Sequence, residues 1–247
     1  MKILSFLRKA CLSIILLSLL SAPEAKAQSK VEIDLGADIV SGYVWRGSKA
    51  AGASVQPFIS ASISDFTLGA WGSSDISPNF SSSEGYKEVN FYASYSVAGF
   101  GLTVTDYWWD GNEAFRYFSS PANGYSGHML EGSLAYTLPD SFPLTLSWNT
   151  FFLGKGNKKE NGKNSYSTYI EAAYPFTVRD VDLKVAMGFS PWESIIYGTT
   201  SFKFTNIMLG ASKRLKIKDS FSLPVFANII TNPSTEDINF VFGITIK

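Results

Sequence analysis

Cysteine is all but missing from this 247-residue chain: Cys11 stands alone near the start, and none follows it. That excludes a small disulfide-stapled domain and any thiolate metal site downstream. Histidine is as scarce, with His128 the only one, which removes His-rich metal centres. Charged side chains make up 17% of the chain, below the roughly 25% of an average soluble protein. Acids and bases balance at 21 each, so no basic surface invites nucleic acid. After residue 27 no apolar run reaches the about 18 residues of a membrane-spanning helix. Phosphate loops, dinucleotide fingerprints and heptads are absent, and "DGNEAF" at 110–115 lacks calcium-loop spacing. No metal and no cofactor is expected.

The first 27 residues read as a leader. Lys2, Arg8 and Lys9 precede the apolar run "CLSIILLSLLSA", and Ala25-Lys26-Ala27 places small residues at both positions a signal peptidase reads. The expected organisation is therefore a signal peptide, 1–27, and one domain, 28–247. Cys11 stands at the start of the apolar run rather than after it, so it cannot carry a lipoprotein anchor. Removing Lys2, Arg8, Lys9, Lys26 and Glu24 from 21 bases and 21 acids leaves a net charge of −3.

What fills the rest is two-residue alternation. In "INFVFGITIK", Ile238, Phe240, Phe242, Ile244 and Ile246 share one face, against Asn239, Val241, Gly243 and Thr245. "VDLKVAMGF" at 181–189, "VNFYASYSV" at 89–97 and "VQPFISASI" at 55–63 repeat the pattern. Such alternation marks strands with one apolar face. Roughly twelve are legible, each near the 9–11 residues that a tilted strand needs to cross a bilayer. The links between them alternate strictly: short at Ser64-Asp65 and Ala98-Gly99, long at 110–126 and 154–164. The fold class expected is all-β: an antiparallel transmembrane β-barrel of about twelve strands with both termini periplasmic.

A soluble sandwich or lipocalin-like barrel would alternate as well. Its polar face would be rich in Lys and Glu, whereas here it is mostly Ser, Thr, Gly, Asn and Tyr. Apolar positions near strand ends also become aromatic, at Tyr43, Trp45, Tyr95, Tyr136 and Tyr174. These five are expected to form the aromatic girdle where lipid meets water.

The run at 40–76 carries Ser41, Tyr43, Arg46, Gly47 and Ser48, then Pro57, then Gly69, Trp71 and Ser73. In these residues it resembles the N-terminal block of the TorF-type putative porins of the Gram-negative outer membrane. The resemblance covers residues 37–76 and implies a passive pore. Many such barrels end in an aromatic residue, whereas this chain ends Ile246-Lys247.

By strand parity the charged residues expected in the lumen are Asp34, Asp38, Arg46, Glu88, Glu131, Glu171, Asp182 and Lys184. They either line the path or pair across it. Six acids against two bases favour cations. Trp71, Tyr92, Tyr107, Trp109 and Tyr169 share the inward parity, as a stacking path or as filler. The functions in play are a diffusion channel for small hydrophilic solutes or ions, a closed or adhesive barrel working through its outer loops, and a lipid hydrolase on Ser126 and His128. Against the last, Asn149 has the wrong parity to orient the imidazole, and no enzymatic activity is expected. Expected partners are outer-membrane lipid and lipopolysaccharide, the latter at the basic loop of Lys155, Lys158, Lys159 and Lys163, together with small solutes and the barrel-assembly machinery.

Overall fold

The computed structural model describes residues 30–77, 85–109, 114–117, 126–219 and 221–247. The expected leader, 1–27, lies outside the described residues. Among the described residues fourteen strands occur, in order β1 (Glu32–Val40), β2 (Tyr43–Trp45), β3 (Ser48–Ala51), β4 (Ser54–Ile63), β5 (Phe66–Asp75), β6 (Lys87–Val97) and β7 (Phe100–Trp109). They continue with β8 (His128–Thr137), β9 (Thr145–Leu153), β10 (Thr168–Val178), β11 (Val181–Ser190), β12 (Lys203–Lys218), β13 (Phe221–Asn232) and β14 (Asp237–Ile246). Twelve of them close into one antiparallel barrel, in which β1 pairs with both β4 and β14. The remaining two, β2 and β3, pair only with each other.

Chain neighbours pair all the way round, so the connections are hairpins. The tightest put a residue in the left-handed region, as at Ser64 (φ 52), Ala98 (φ 49) and Arg179 (φ 59). That backbone hand matches the twist of the strands it joins. At their other ends the strands lead into wider connections, between β1 and β4, β5 and β6, β7 and β8, β9 and β10, and β11 and β12. β1 begins and β14 ends at the short-turn rim, because the strand number is even. The seam between β1 and β14 is the shortest ladder of the barrel, four pairs from Ala37↔Ile246 to Val40↔Gly243.

Parity sorts the side chains sharply. Ile33, Leu35, Phe91, Leu102, Leu134, Leu209, Phe240 and Phe242 all point outward and are exposed. An apolar surface that continues right round a molecule is far larger than the few hundred Å² of an ordinary monomer patch. On the inward face the burial is graded along the barrel axis. Toward the short-turn rim Asp34, Asp182, Lys184, Arg214 and Lys216 remain exposed. Toward the long-loop rim Glu88, Asn90, Glu131, Phe151, Tyr169 and Asn206 are buried. The lumen is therefore open to water at one end and filled at the other.

β12 runs further than its sequence suggests. "KIKD" reads as a turn, but the strand continues to Lys218. Its inward positions Arg214 and Lys216, opposite Pro224 and Ser222, add bases to a lumen expected to be acidic.

Candidate functional site: a hairpin folded into the barrel

The filling comes from the chain itself. After β1 the backbone stays on the seam for one residue, with the Ser41 amide donating to the Phe242 carbonyl at 2.8 Å. It then turns inward as β2, a two-residue turn at Arg46 (φ 49) and Gly47 (φ 88), and β3. Two successive positive φ values define the tight turn that a twisted two-stranded ribbon requires.

Each side of this ribbon meets a different wall. Tyr43 lies against Trp71 and Tyr86, with ring centroids 5.4 and 6.1 Å away. Trp45 stacks on Tyr197 at 5.7 Å and meets Tyr107, Trp109 and Phe151 edge-on. Val44 packs on the opposite side, against Val40, Ile230 and Val241 near the seam. At the tip, a Cβ built on Gly47 would lie 1.7 Å from the Thr205 carbonyl oxygen. Thr205 is the extra residue of a bulge in β12, between Phe204 and Asn206. The ribbon thus spans the lumen from β5–β9 to β12–β14, and only glycine fits its tip.

Arg46 fastens it. Its guanidinium donates Nη1 to Glu131 Oε1 at 2.6 Å and Nη2 to Oε2 at 2.9 Å. Nη1 also donates to the Tyr197 hydroxyl, and the guanidinium carbon lies 4.6 and 4.8 Å from the Trp45 and Tyr169 ring centroids. Tyr107 donates to Glu131 Oε2 at 3.1 Å. Around this core Tyr169 donates to Glu171, and Asn206 Nδ2 donates to the Tyr169 hydroxyl at 3.0 Å. Tyr197, in the connection between β11 and β12, has its hydroxyl pushed well above its usual range by burial, with Arg46 pulling the other way. A planar fork over two carboxylate oxygens and aromatic faces is a site that Arg fills and Lys cannot.

Of the eight charged positions, Arg46, Glu131 and Glu171 come together here, while Glu88 stands apart on β6. Asp34, Asp182 and Lys184 lie nearer the short-turn rim, where Lys247 reaches Asp34 at 2.8 Å, and Asp38, two residues before the end of β1, accepts from the Thr245 hydroxyl at 2.6 Å. Tyr95 and Tyr136 are exposed on the outer face, and Tyr174 shares their parity beside Phe142. Tyr43 and Trp45 differ from expectation: both are turned into the lumen, and Tyr43 is 8% exposed. The reason is that the chain leaves the barrel wall after Val40, so the alternation no longer reports on the outer face. Tyr86 and Tyr197, in connections that alternation cannot place, were not found from sequence.

The hydrolase residues sit elsewhere, on the outer face near the long-loop rim. His128 Nδ1 is 2.9 and 3.0 Å from the Asp106 carboxylate oxygens, an orienting partner that sequence reasoning passed over. Its Nε2 is turned to the Ala114 carbonyl at 2.7 Å, while Ser126 Oγ accepts from the His128 amide. The imidazole is therefore not aimed at the serine as a general base must be. Among the described residues no cluster of three or more His, Cys, Asp or Glu side chains is placed to hold a metal ion.

No family model matches the chain, and no curated protein does. Among solved structures the chain is similar to one titled "KdgM porin" at 11% identity, covering 88% of this chain and 99% of that one with a TM-score of 0.45.

Proposed function

We propose that this protein is an exported outer-membrane barrel that acts as a narrow, porin-like channel for small hydrophilic solutes or ions, with the Tyr43–Ala51 ribbon as its constriction. The carrying observation is the graded inner face: a charged, water-exposed half below, and a half above filled by a polypeptide segment rather than by the wall. An apolar outer belt suits lipid, where a charge at the midplane costs about 2–4 kcal/mol. Both termini then lie on the periplasmic side. The sequence resemblance to the TorF-type porins supports the same reading. Lipopolysaccharide at the outer loops, the assembly machinery and small solutes are the partners it implies, without an enzymatic step.

A second reading rests on one observation, the near-complete burial of Phe151 and Glu131 at 0% and 1%. Packing that tight also suits a closed barrel working through its outer loops. Conductance in planar bilayers separates the two. The channel gives small discrete steps, and these grow severalfold when residues 43–51 are replaced by a short Gly-Ser turn. Silence from both folded proteins rejects the channel.

A further inference from the structure

Beside the ribbon lies a second, smaller space that the constriction does not use. It measures about 150 Å³ and is lined by Tyr43, Trp45, Tyr86, Trp109, Ile196 and Glu88. A cavity of about 150 Å³ holds one guest the size of benzene. The Glu88 carboxylate, 2% exposed, accepts from Tyr86 at 2.9 Å and from Asn90 Nδ2 at 2.8 Å. Both donors are neutral. Among the described residues no Lys, Arg or His pairs with Glu88, and Arg46 is committed to Glu131. The Trp109 indole N–H, buried in the same wall, has no hydrogen-bond partner.

A buried carboxylate met only by neutral donors lacks a counter-charge. Tyr43, Tyr86 and Trp109 line the space beside it, and aromatic faces attract a weakly hydrated cation, whereas the Trp45 ring is already met by the Arg46 guanidinium. The two features ask for opposite halves of one ligand: positive charge for Glu88 and an apolar periphery for Tyr43, Trp45, Tyr86 and Trp109. A hydrated metal ion meets only the first requirement, and a sugar only the second.

We propose that this pocket is a binding site for a small organic ammonium cation, of the methylated-ammonium class, with Glu88 as counter-ion and Tyr43, Tyr86 and Trp109 as its cage. The site does not rest on conduction, since a closed barrel would hold the same ligand.

The test uses the refolded full barrel in detergent, followed by its tryptophan fluorescence, because Trp45 and Trp109 line the cavity. Choline chloride is titrated against its uncharged isostere, 3,3-dimethylbutan-1-ol, and against extra sodium chloride. Saturable quenching by choline alone is expected, weakened about tenfold or more by Glu88→Gln. Equal response to the isostere, displacement by sodium at equal concentration, or no response to choline overturns the proposal. The choline–isostere comparison needs no variant, so it decides the matter even where Glu88→Gln fails to refold.

Discussion

Arg46 and Glu131, 85 positions apart in the chain, meet as a forked ion pair whose side chains are 13% and 1% exposed. One end is on a two-residue turn with no place in the barrel wall, and the other is on β8. Removing one partner of such a pair strands a buried charge and costs about 3–5 kcal/mol. Arg46→Ala is therefore expected to lower the thermal unfolding midpoint in detergent, and Arg46→Met with Glu131→Leu to recover most of the loss. A double variant as unstable as the single one would show that the pair itself, rather than the stranded carboxylate, matters.

Gly47→Ala tests the seating of the ribbon tip. It adds a methyl to a left-handed residue, costing about 1–2 kcal/mol, and drives it into the Thr205 carbonyl. The ribbon should lift from β12 and expose Trp45, seen as stronger acrylamide quenching with unchanged strand content by circular dichroism. Unchanged quenching would mean that β12 yields instead.

Parity can be tested on adjacent residues of one strand. Val104→Arg places a charge on the outer face and should cost about 2–4 kcal/mol of folding free energy in lipid vesicles. Thr103→Lys, one position away, faces the lumen and should change little. Comparable losses from both would contradict an apolar exterior in contact with lipid.

At the short-turn rim, Lys213 Nζ lies 2.6 Å from Asp180 and, through that hydrogen bond and its charge, holds the carboxyl below its usual value. A lowered carboxylate pKa contributes stability above the unfolded value, lost as pH falls through the folded one. The pair is exposed and screened, so its effect on stability is slight. A carbon-13 NMR titration of the Asp180 carboxyl should shift upward in Lys213→Ala; no shift would show that the contact is not populated.

His128→Ala should leave lipid turnover at background, as in the unaltered protein. What it should change is the rim, where the ring bridges Asp106 and Ala114 and stacks on Tyr117 at 4.1 Å. Faster proteolysis in the 110–127 connection is the expected readout. A hydrolase rate lost on substitution would restore the catalytic reading.

The barrel was legible because most of each wall strand obeys one rule: outer side apolar, lumen side polar or small. Phe240 and Asn239 could be assigned from that alternation alone. The same rule misplaced Tyr43 and Trp45, since nothing local marks Val40 as the point where the chain leaves the wall. It also shortened β12, because Lys216 and Lys218 read as turn chemistry although the first faces a wet lumen. The Arg46–Glu131 contact closes a loop of 85 residues, and its geometry exists only once both walls stand. Asp106 was passed over because its parity belongs to the apolar face.

The short β1–β14 seam has a consequence for the order of assembly. Four residue pairs are a weak zipper for a closing edge, yet Val44 of the ribbon braces Val40 of β1 and Val241 of β14 from within. The ribbon's contacts reach β8, β12 and β14, so its docking is complete only once all three have arrived. It acts as a bolt behind the closing edge. A barrel stalled before that event would hold its first and last strands only loosely, leaving the edge of β1 available to any partner that adds a strand.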